Sequence, residues 1–65
     1  MSSIYFSVVL PAYNTPHDIL RRAIGSVLNQ TYPYFELIIV DDGSEPSLEP
    51  IVKEYTDERI IFIQH

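Results

Sequence analysis

Two adjacent acids, Asp41 and Asp42, directly follow the apolar run Leu37–Val40. An ionised carboxylate only accepts hydrogen bonds, so Asp42 is suited to binding the N–H of a planar imide such as N3 of uracil. The competing interpretation is a solvated turn, because Asp-Asp-Gly-Ser is also typical of turns and helix starts, where an Asp side chain accepts hydrogen bonds from backbone N–H groups. From the residue types alone, both interpretations stay open for both acids.

A second segment, "PAYNT" at 11–15, follows another apolar run. Tyr13 could place its ring against the face of a base and leave its hydroxyl free for a ribose or water. Pro11 and Ala12 carry small side chains, which allow the backbone to approach a flat ligand closely. Together with Asp42, these residues indicate recognition of a nucleobase and ribose. The alternative for Tyr13 is a partly buried packing residue.

The charge balance limits the partners. The chain has a net charge of −5 and only four basic residues: Arg21, Arg22, Lys53 and Arg59. Binding to nucleic acid or to an anionic membrane surface would need clustered Lys and Arg, so we expect neither. A bound diphosphate would instead need a divalent cation. The chain has no cysteine, which excludes disulfides and thiolate metal sites.

Three segments are expected to be strands: Tyr5–Leu10, ending at Pro11, then Phe35–Val40 and Arg59–Ile63. Their nearly continuous apolar character is typical of parallel strands that are covered on both faces. Each connection of about twenty residues carries a helical pattern, which excludes hairpins. The sequence therefore predicts an α/β fold, a three-stranded parallel β-α-β-α-β half of a doubly wound sheet.

The first helix is expected to start near Pro16, with Thr15 as its N-cap. Its apolar stripe contains Leu20, Ile24, Val27 and Leu28, widened by Ile19 and Ala23. Gly25 lies inside this helix, and close packing on the sheet would explain it.

The second helix is predicted from apolar residues at i, i+3, i+4 and i+7, which are Leu48, Ile51, Val52 and Tyr55. Ser44 or Ser47 is expected to cap it, and Pro50 is tolerated because it falls in the first turn.

Ligands of open parallel sheets bind beyond the carboxyl ends of the strands, so "PAYNT" and "DDGSEP" are expected to converge there. Sixty-five residues form at most one small domain, and three strands leave two sheet edges unpaired. We therefore expect residues 1–65 to be the N-terminal portion of a larger domain.

The segments "FSVVLPAYN", "AIGSVLNQTYPYFELIIVDDGS" and "DERIIFIQ" resemble, in order and spacing, the start of the family 2 inverting glycosyltransferases. These enzymes have the GT-A fold and use nucleotide-diphospho-sugars. The resemblance runs from about Phe6 to Ile63, nearly the whole chain.

The resemblance implies that Pro11, Ala12 and Tyr13 line a nucleotide pocket and that Asp42 contacts the base, usually uracil. It puts Asp41 at the same site, oriented more toward the backbone of its own loop. Many family members carry an acid soon after the Tyr-Asn pair, whereas this chain has a threonine there.

The family's metal-binding Asp-x-Asp and its catalytic base lie further along the chain, so we expect no catalytic residue and no metal ligand in residues 1–65. For the full-length enzyme, the resemblance implies a divalent cation (Mn²⁺ or Mg²⁺), a UDP-sugar donor, a glycan or lipid-linked glycan acceptor, and a role in polysaccharide biosynthesis. We expect it in the cytoplasm or at the cytoplasmic face of the membrane.

Two alternatives remain. The chain could be a structural piece that self-associates through its exposed sheet edges. It could also be an aspartate-dependent phosphohydrolase, although that pattern requires Asp-x-Asp-Gly and the chain has Asp-Asp-Gly.

Overall fold

A computed structural model describes residues 5–65, in which three strands and two helices alternate along the chain. Their bounds are β1 Phe6–Ala12, α1 His17–Leu28, β2 Phe35–Asp41, α2 Glu49–Val52 and β3 Ile60–Gln64. Both strand pairs are parallel, so the predicted α/β half-sheet is confirmed. Neither helix in this part of the chain is long and apolar enough to span a bilayer.

The strands are arranged in the order β1-β2-β3, with β2 in the centre. In this register Ala12 lies opposite Asp41, and Asp41 lies opposite Gln64. The last residues of all three strands therefore form one row at the carboxyl edge of the sheet. Any loop that leaves a strand at this edge starts beside its neighbours.

β1 does not end at Pro11, as the sequence predicted, but continues to Ala12. β1 lies at the edge of the sheet within residues 5–65 and pairs only with β2. Proline is tolerated on an edge strand, where a missing backbone N–H need not interrupt a ladder of hydrogen bonds. With this extension β1 ends opposite the last residue of β2, because Ala12 pairs with Asp41.

Both helices pack on the same face of the sheet. Alternate residues of β2 are buried against them, from Phe35 to Asp41. The apolar members of this core are Ala12, Leu20, Ile24, Phe35, Leu37, Ile39, Leu48, Ile51 and Val52. Strands in sequential order with right-handed crossovers place both helices on one side. This explains the arrangement.

The opposite face of the sheet is open in the described part of the chain. Val9, Ile61 and Ile63 on this face are 59%, 41% and 42% exposed. The apolar pattern is typical of strands covered on both faces, and residues 5–65 supply the cover for one face only, as expected for three strands of a larger sheet. Apolar residues occur on both sides of these strands, but only one side meets a helix here.

α1 begins at His17, close to the predicted start near Pro16, but the predicted Thr15 cap is wrong. Its N-cap is Pro16, and no side chain caps the helix. The hydroxyl of Thr15 instead accepts a hydrogen bond from the Tyr13 N–H (3.3 Å). Ile19 is 50% exposed and lies outside the buried stripe. Apart from its chain neighbours and the nearby backbone of α1, nothing lies within 4 Å of the position of a Cβ on Gly25, so close packing does not explain that glycine.

α2 is a single turn, shorter than its apolar pattern predicted. Its N-cap is Leu48 and no side chain caps it, so the predicted cap by Ser44 or Ser47 is wrong. The Ser47 Oγ does accept a hydrogen bond from the Glu49 N–H (3.1 Å). Tyr55 lies beyond the helix, and its hydroxyl donates a hydrogen bond to the carbonyl of Arg21 (3.2 Å). Arg21 also donates two hydrogen bonds of 2.8 Å to Glu54. These contacts hold α1 against the segment after α2.

Candidate functional site at the carboxyl edge of the sheet

Two loops meet at the carboxyl edge of the sheet. The first loop, residues 13–16, joins β1 to α1, and the second loop, residues 42–48, joins β2 to α2. The Asp42 N–H donates a hydrogen bond of 2.9 Å to the carbonyl of Ala12. The predicted convergence of these two segments is therefore confirmed, although about thirty residues separate them.

Asn14 forms the closest link between the two loops. Its backbone N–H donates to Oγ of Ser44 (2.8 Å), and its own Oδ1 accepts from the Glu45 N–H (2.9 Å). Asn14 has φ 48°, in the left-handed region that Asn adopts more readily than most residues. Asn14 is not among the site residues that the sequence predicts. A signal existed in its residue type, since Asn tolerates this backbone conformation.

Asp41 is fully buried, with 0% of its surface exposed. Its Oδ1 accepts a hydrogen bond from the Ser44 N–H and its Oδ2 from the Leu48 N–H, both at 3.1 Å. The carboxylate therefore holds the second loop in a closed turn, as the turn interpretation predicted. It faces its own loop backbone and exposes no atom to a ligand.

The electrostatic environment of Asp41 stabilises its ionised form. Burial acts to raise the pKa of this carboxyl group. Hydrogen bonds from the Ser44 side chain and from the N–H groups of Leu48 and Ser44 outweigh burial, so the pKa lies below its ordinary value. Asp41 thus remains charged at neutral pH although it is buried.

Gly43 completes the turn with φ 83°. This backbone conformation costs glycine little and strains residues that carry a Cβ. The Glu45–Pro46 peptide bond of the same loop is cis.

The remaining predicted site residues differ in exposure. Tyr13 is 65% exposed, so the alternative that it is a packing residue is wrong in this structure. Asp42 and Pro11 are also exposed. Ala12 is only 5% exposed, and its side chain belongs to the core. Of the predicted site residues, Tyr13, Asp42 and Pro11 therefore have side chains available to a ligand at this edge, whereas those of Asp41 and Ala12 are buried.

The three basic side chains that form ion pairs lie away from the carboxyl edge of the sheet. Arg21 and Lys53 are on or beside the helices and pair with acids at 2.8 and 4.0 Å. Arg59, just before β3, is 2.7 Å from Asp57. Hydrogen bonds from Arg59 are the main reason that the pKa of Asp57 falls to about 2. These ion pairs hold three of the four cations at other positions.

The described residues do not fit a metal centre. No group of three or more His, Asp and Glu side chains in residues 5–65 is arranged to hold a cation. Asp41 already uses both carboxylate oxygens on backbone N–H groups. An exposed carboxylate such as that of Asp42 would need further ligands from elsewhere.

A cleft of about 300 Å³ lies between α2 and β3. None of the predicted nucleotide-binding residues lines it. It forms where α2, a single turn, leaves the partly buried Ile60 and Phe62 of β3 incompletely covered. The chemistry-bearing side chains are therefore at the carboxyl edge, and the cleft is a separate feature of packing.

The model of the family described as "Glycosyl transferase family 2" matches residues 7–65. The chain therefore belongs to this family.

Curated relatives extend the comparison. The chain is 45% identical over 62 residues to an uncharacterised glycosyltransferase from Methanocaldococcus jannaschii, covering 91% of this chain and 21% of the relative. It is 40% identical over 60 residues to the UDP-Glc:alpha-D-GlcNAc-diphosphoundecaprenol beta-1,3-glucosyltransferase WfgD of Escherichia coli, covering 92% and 23%. It is 38% identical over 55 residues to hyaluronan synthase of Streptococcus pyogenes, covering 83% and 13%. The chain thus spans between 13% and 23% of the length of these relatives.

Replacing Asp41 tests its role in the second loop. In Asp41→Asn, the amide NH₂ faces N–H donors, so we expect the free energy of unfolding to fall by about 2 kcal/mol at pH 7. The folded pKa of Asp41 is lowered, so its stabilisation is present at neutral pH. It is lost as the pH falls below about 4, the unfolded value, and through the folded pKa. Urea denaturation from pH 7 to pH 2 should show the two proteins converging.

The matched control is Asp42→Asn, an adjacent exposed acid, which we expect to change the free energy of unfolding by less than about 0.5 kcal/mol. Equal losses in the two variants, or a difference that does not depend on pH, would contradict the assignment of Asp41.

Proposed function

We propose that the chain is the N-terminal, nucleoside-binding part of a glycosyltransferase that transfers a sugar from a UDP-sugar to an acceptor hydroxyl with inversion at the anomeric carbon. The observation that carries the proposal is the joining of the two loops at the carboxyl edge. The contact between the Asp42 N–H and the Ala12 carbonyl (2.9 Å) holds the exposed Asp42 beside the start of the loop that contains Tyr13. Membership of glycosyl transferase family 2 supplies the reaction class.

The two exposed side chains suit a uracil base. The ring of Tyr13 offers an apolar face for stacking, which contributes about 1–3 kcal/mol for a nucleic-acid base. The carboxylate of Asp42 accepts the N3–H of uracil, whereas cytosine has no hydrogen at N3. Pro11 lies exposed beside them, and Ala12 contributes its backbone, since its side chain is buried. Asp41 supports this site by shaping the second loop.

The diphosphate requires charge from outside these residues. Glu45 and Asp42 make the edge acidic, and three of the four basic residues pair with acids elsewhere. The full-length enzyme would supply a divalent cation, Mn²⁺ or Mg²⁺, through ligands beyond residues 1–65. Such a cation neutralises charge on the leaving nucleoside diphosphate. The base that takes the proton of the acceptor hydroxyl would also lie beyond this chain.

The names of the relatives support the donor and acceptor classes. WfgD is named for a UDP-Glc donor and a diphosphoundecaprenol acceptor, and another relative is named as a putative teichuronic acid biosynthesis glycosyltransferase. We therefore propose a role in polysaccharide biosynthesis with a glycan or lipid-linked glycan acceptor. The lipid-linked case would operate at the cytoplasmic face of the membrane.

The phosphohydrolase alternative is disfavoured by the burial of Asp41. An aspartate nucleophile must reach the phosphorus atom with a free oxygen. Asp41 is 0% exposed, and both of its oxygens accept hydrogen bonds.

Removing the carboxylate of Asp42 tests base recognition. In the full-length protein, Asp42→Ala should weaken UDP binding by about 10- to 100-fold, the effect of losing a hydrogen bond to a charged group. Calorimetric titration measures this change. Glu58→Ala, which removes an exposed acid at the opposite end of the sheet, is the control and should retain the affinity of the unmodified protein. Unchanged affinity in Asp42→Ala would exclude Asp42 from the site.

Chelation of divalent cations tests whether the cation is needed for the diphosphate and not for the nucleoside. EDTA should weaken the binding of UDP to the full-length protein by about tenfold or more, because the diphosphate then faces uncompensated acids. The binding of uridine, which has no phosphate, should be unchanged by EDTA in the same calorimetric experiment. An equal effect of EDTA on both ligands would contradict the proposal that this edge recognises only the nucleoside.

Self-association of the 65-residue chain is a second candidate property, which the exposed apolar face favours. Val9, Ile61 and Ile63 are all more than two-fifths exposed. The outer edges of β1 and β3 have no strand partner within residues 5–65. Unpaired strand edges bind other strands, including those of a second copy.

Sedimentation velocity of the isolated chain measures this association directly. We expect a dimer or larger species, and we expect Ile61→Lys to shift it toward monomer because a charged side chain on an edge strand opposes pairing. Ile19→Lys, on the exposed side of α1, is the control and should leave the distribution unchanged. A monomer at high concentration would rule this property out.

A further inference from the structure

We infer that Asn14 is a positioning residue of the nucleotide site. With Ser44 it holds the first loop against the second and thereby sets the place of Tyr13 relative to Asp42. This inference rests on the proposed function, in which those two exposed side chains bind one base.

The residues joined by the two hydrogen bonds of Asn14 are close in sequence to Tyr13 and to Asp42. Asn14 directly follows Tyr13, so its backbone N–H bond to the Ser44 Oγ (2.8 Å) restrains the adjacent peptide. Ser44 and Glu45 follow Asp42 by two and three residues. The bond from the Glu45 N–H to the Asn14 Oδ1 (2.9 Å) is therefore the second restraint between the same short segments. We call this pair of bonds the Asn14 clamp.

The clamp is anchored in the core of the protein. Ser44 is 5% exposed, and its N–H donates to the buried carboxylate of Asp41 (3.1 Å). The side chain of Ser44 also contributes to lowering the pKa of Asp41. The Asn14 clamp thus attaches the first loop to a group that is fixed in the central strand, rather than to a freely moving part of the second loop.

Asn14 meets three requirements together: a left-handed backbone, a side-chain acceptor and the absence of charge. Its φ of 48° is strained for alanine and unstrained for glycine, but glycine lacks a side-chain acceptor. Aspartate has the acceptor but would add a negative charge near the exposed Asp42 and Glu45. An asparagine supplies the left-handed backbone and a neutral acceptor together.

The geometry matters because stacking and hydrogen bonding act on the same rigid ring. A base can stack on Tyr13 and donate to Asp42 only if the distance between these side chains is held within a narrow range. The residues come from loops about thirty positions apart, so chain connectivity alone does not fix that distance. The Asn14 clamp and the backbone hydrogen bond from the Asp42 N–H to the Ala12 carbonyl fix that distance together.

The main test is calorimetric titration of UDP into the full-length protein and its variants. Asn14→Gly removes the side-chain acceptor without backbone strain and should weaken UDP binding by about fivefold or more. The matched control is Ser47→Ala in the second loop. It removes a hydroxyl that accepts a hydrogen bond from the Glu49 N–H and leaves the first loop unchanged. It should retain the affinity of the unmodified protein.

Two further measurements distinguish positioning from general stabilisation. In the Asn14→Gly background, Asp42→Ala should weaken UDP binding by a smaller factor than it does alone, because a displaced carboxylate contributes less. Asn14→Asp keeps the acceptor, so its affinity for uncharged uridine should stay within about twofold of that of the unmodified protein. Denaturation of each variant gives the loss of stability separately.

The outcomes separate this inference from the proposed function. If the unmodified protein does not bind UDP, the proposed function fails and the inference falls with it. If the unmodified protein binds UDP and Asn14→Gly binds it equally well, the Asn14 clamp is only structural and the proposed function stands. Additive effects of Asn14→Gly and Asp42→Ala would also overturn the positioning role.

Discussion

The buried carboxylate of Asp41 is the constraint on which the carboxyl edge of this protein depends. An ionised group without solvent must be satisfied by hydrogen-bond donors, and the cost of leaving it unpaired is several kcal/mol or more. The donors here are backbone N–H groups of Ser44 and Leu48, which the second loop can supply only when it folds back over the end of β2. This closed loop presents the Ser44 hydroxyl to the Asn14 N–H. A single charge in the central strand therefore organises both loops.

The two adjacent acids have divided roles because of the alternation of a β-strand. Side chains of β2 alternate between the helix-covered face and the open face, and Asp41 continues the buried series of Phe35, Leu37 and Ile39. Asp42 follows the strand and is exposed. Two neighbouring carboxylates in a sequence suggest a metal site, but of this pair only Asp42 is accessible. The accessible acid is free to recognise a ligand while the other keeps the loop in shape.

The distribution of charge and apolar surface gives the protein three distinct regions. The carboxyl edge is acidic, and the ion pair of Arg59 and Asp57 lies at the opposite end of the sheet, where Arg59 also stacks on Phe35 at 4.4 Å from the ring centroid. The open sheet face is apolar, with Val9 among its most exposed residues. The acidic edge is the reason that the proposed function includes a cation beside the diphosphate, and the apolar face is the reason that we expect self-association.

The sequence by itself determined the alternation of strands and helices, the parallel sheet and the convergence of the two loops. These features follow from local apolar periodicity and from the general behaviour of βαβ units, which nearby residues encode. The tertiary structure alone decided that β1 continues through Pro11, which depends on its place at a sheet edge, and that Thr15 bonds the Tyr13 N–H instead of capping α1. The same holds for the bond between Asn14 and Ser44. Such a bond joins residues thirty positions apart, and its geometry exists only once the strand register and the buried Asp41 have brought the two loops together.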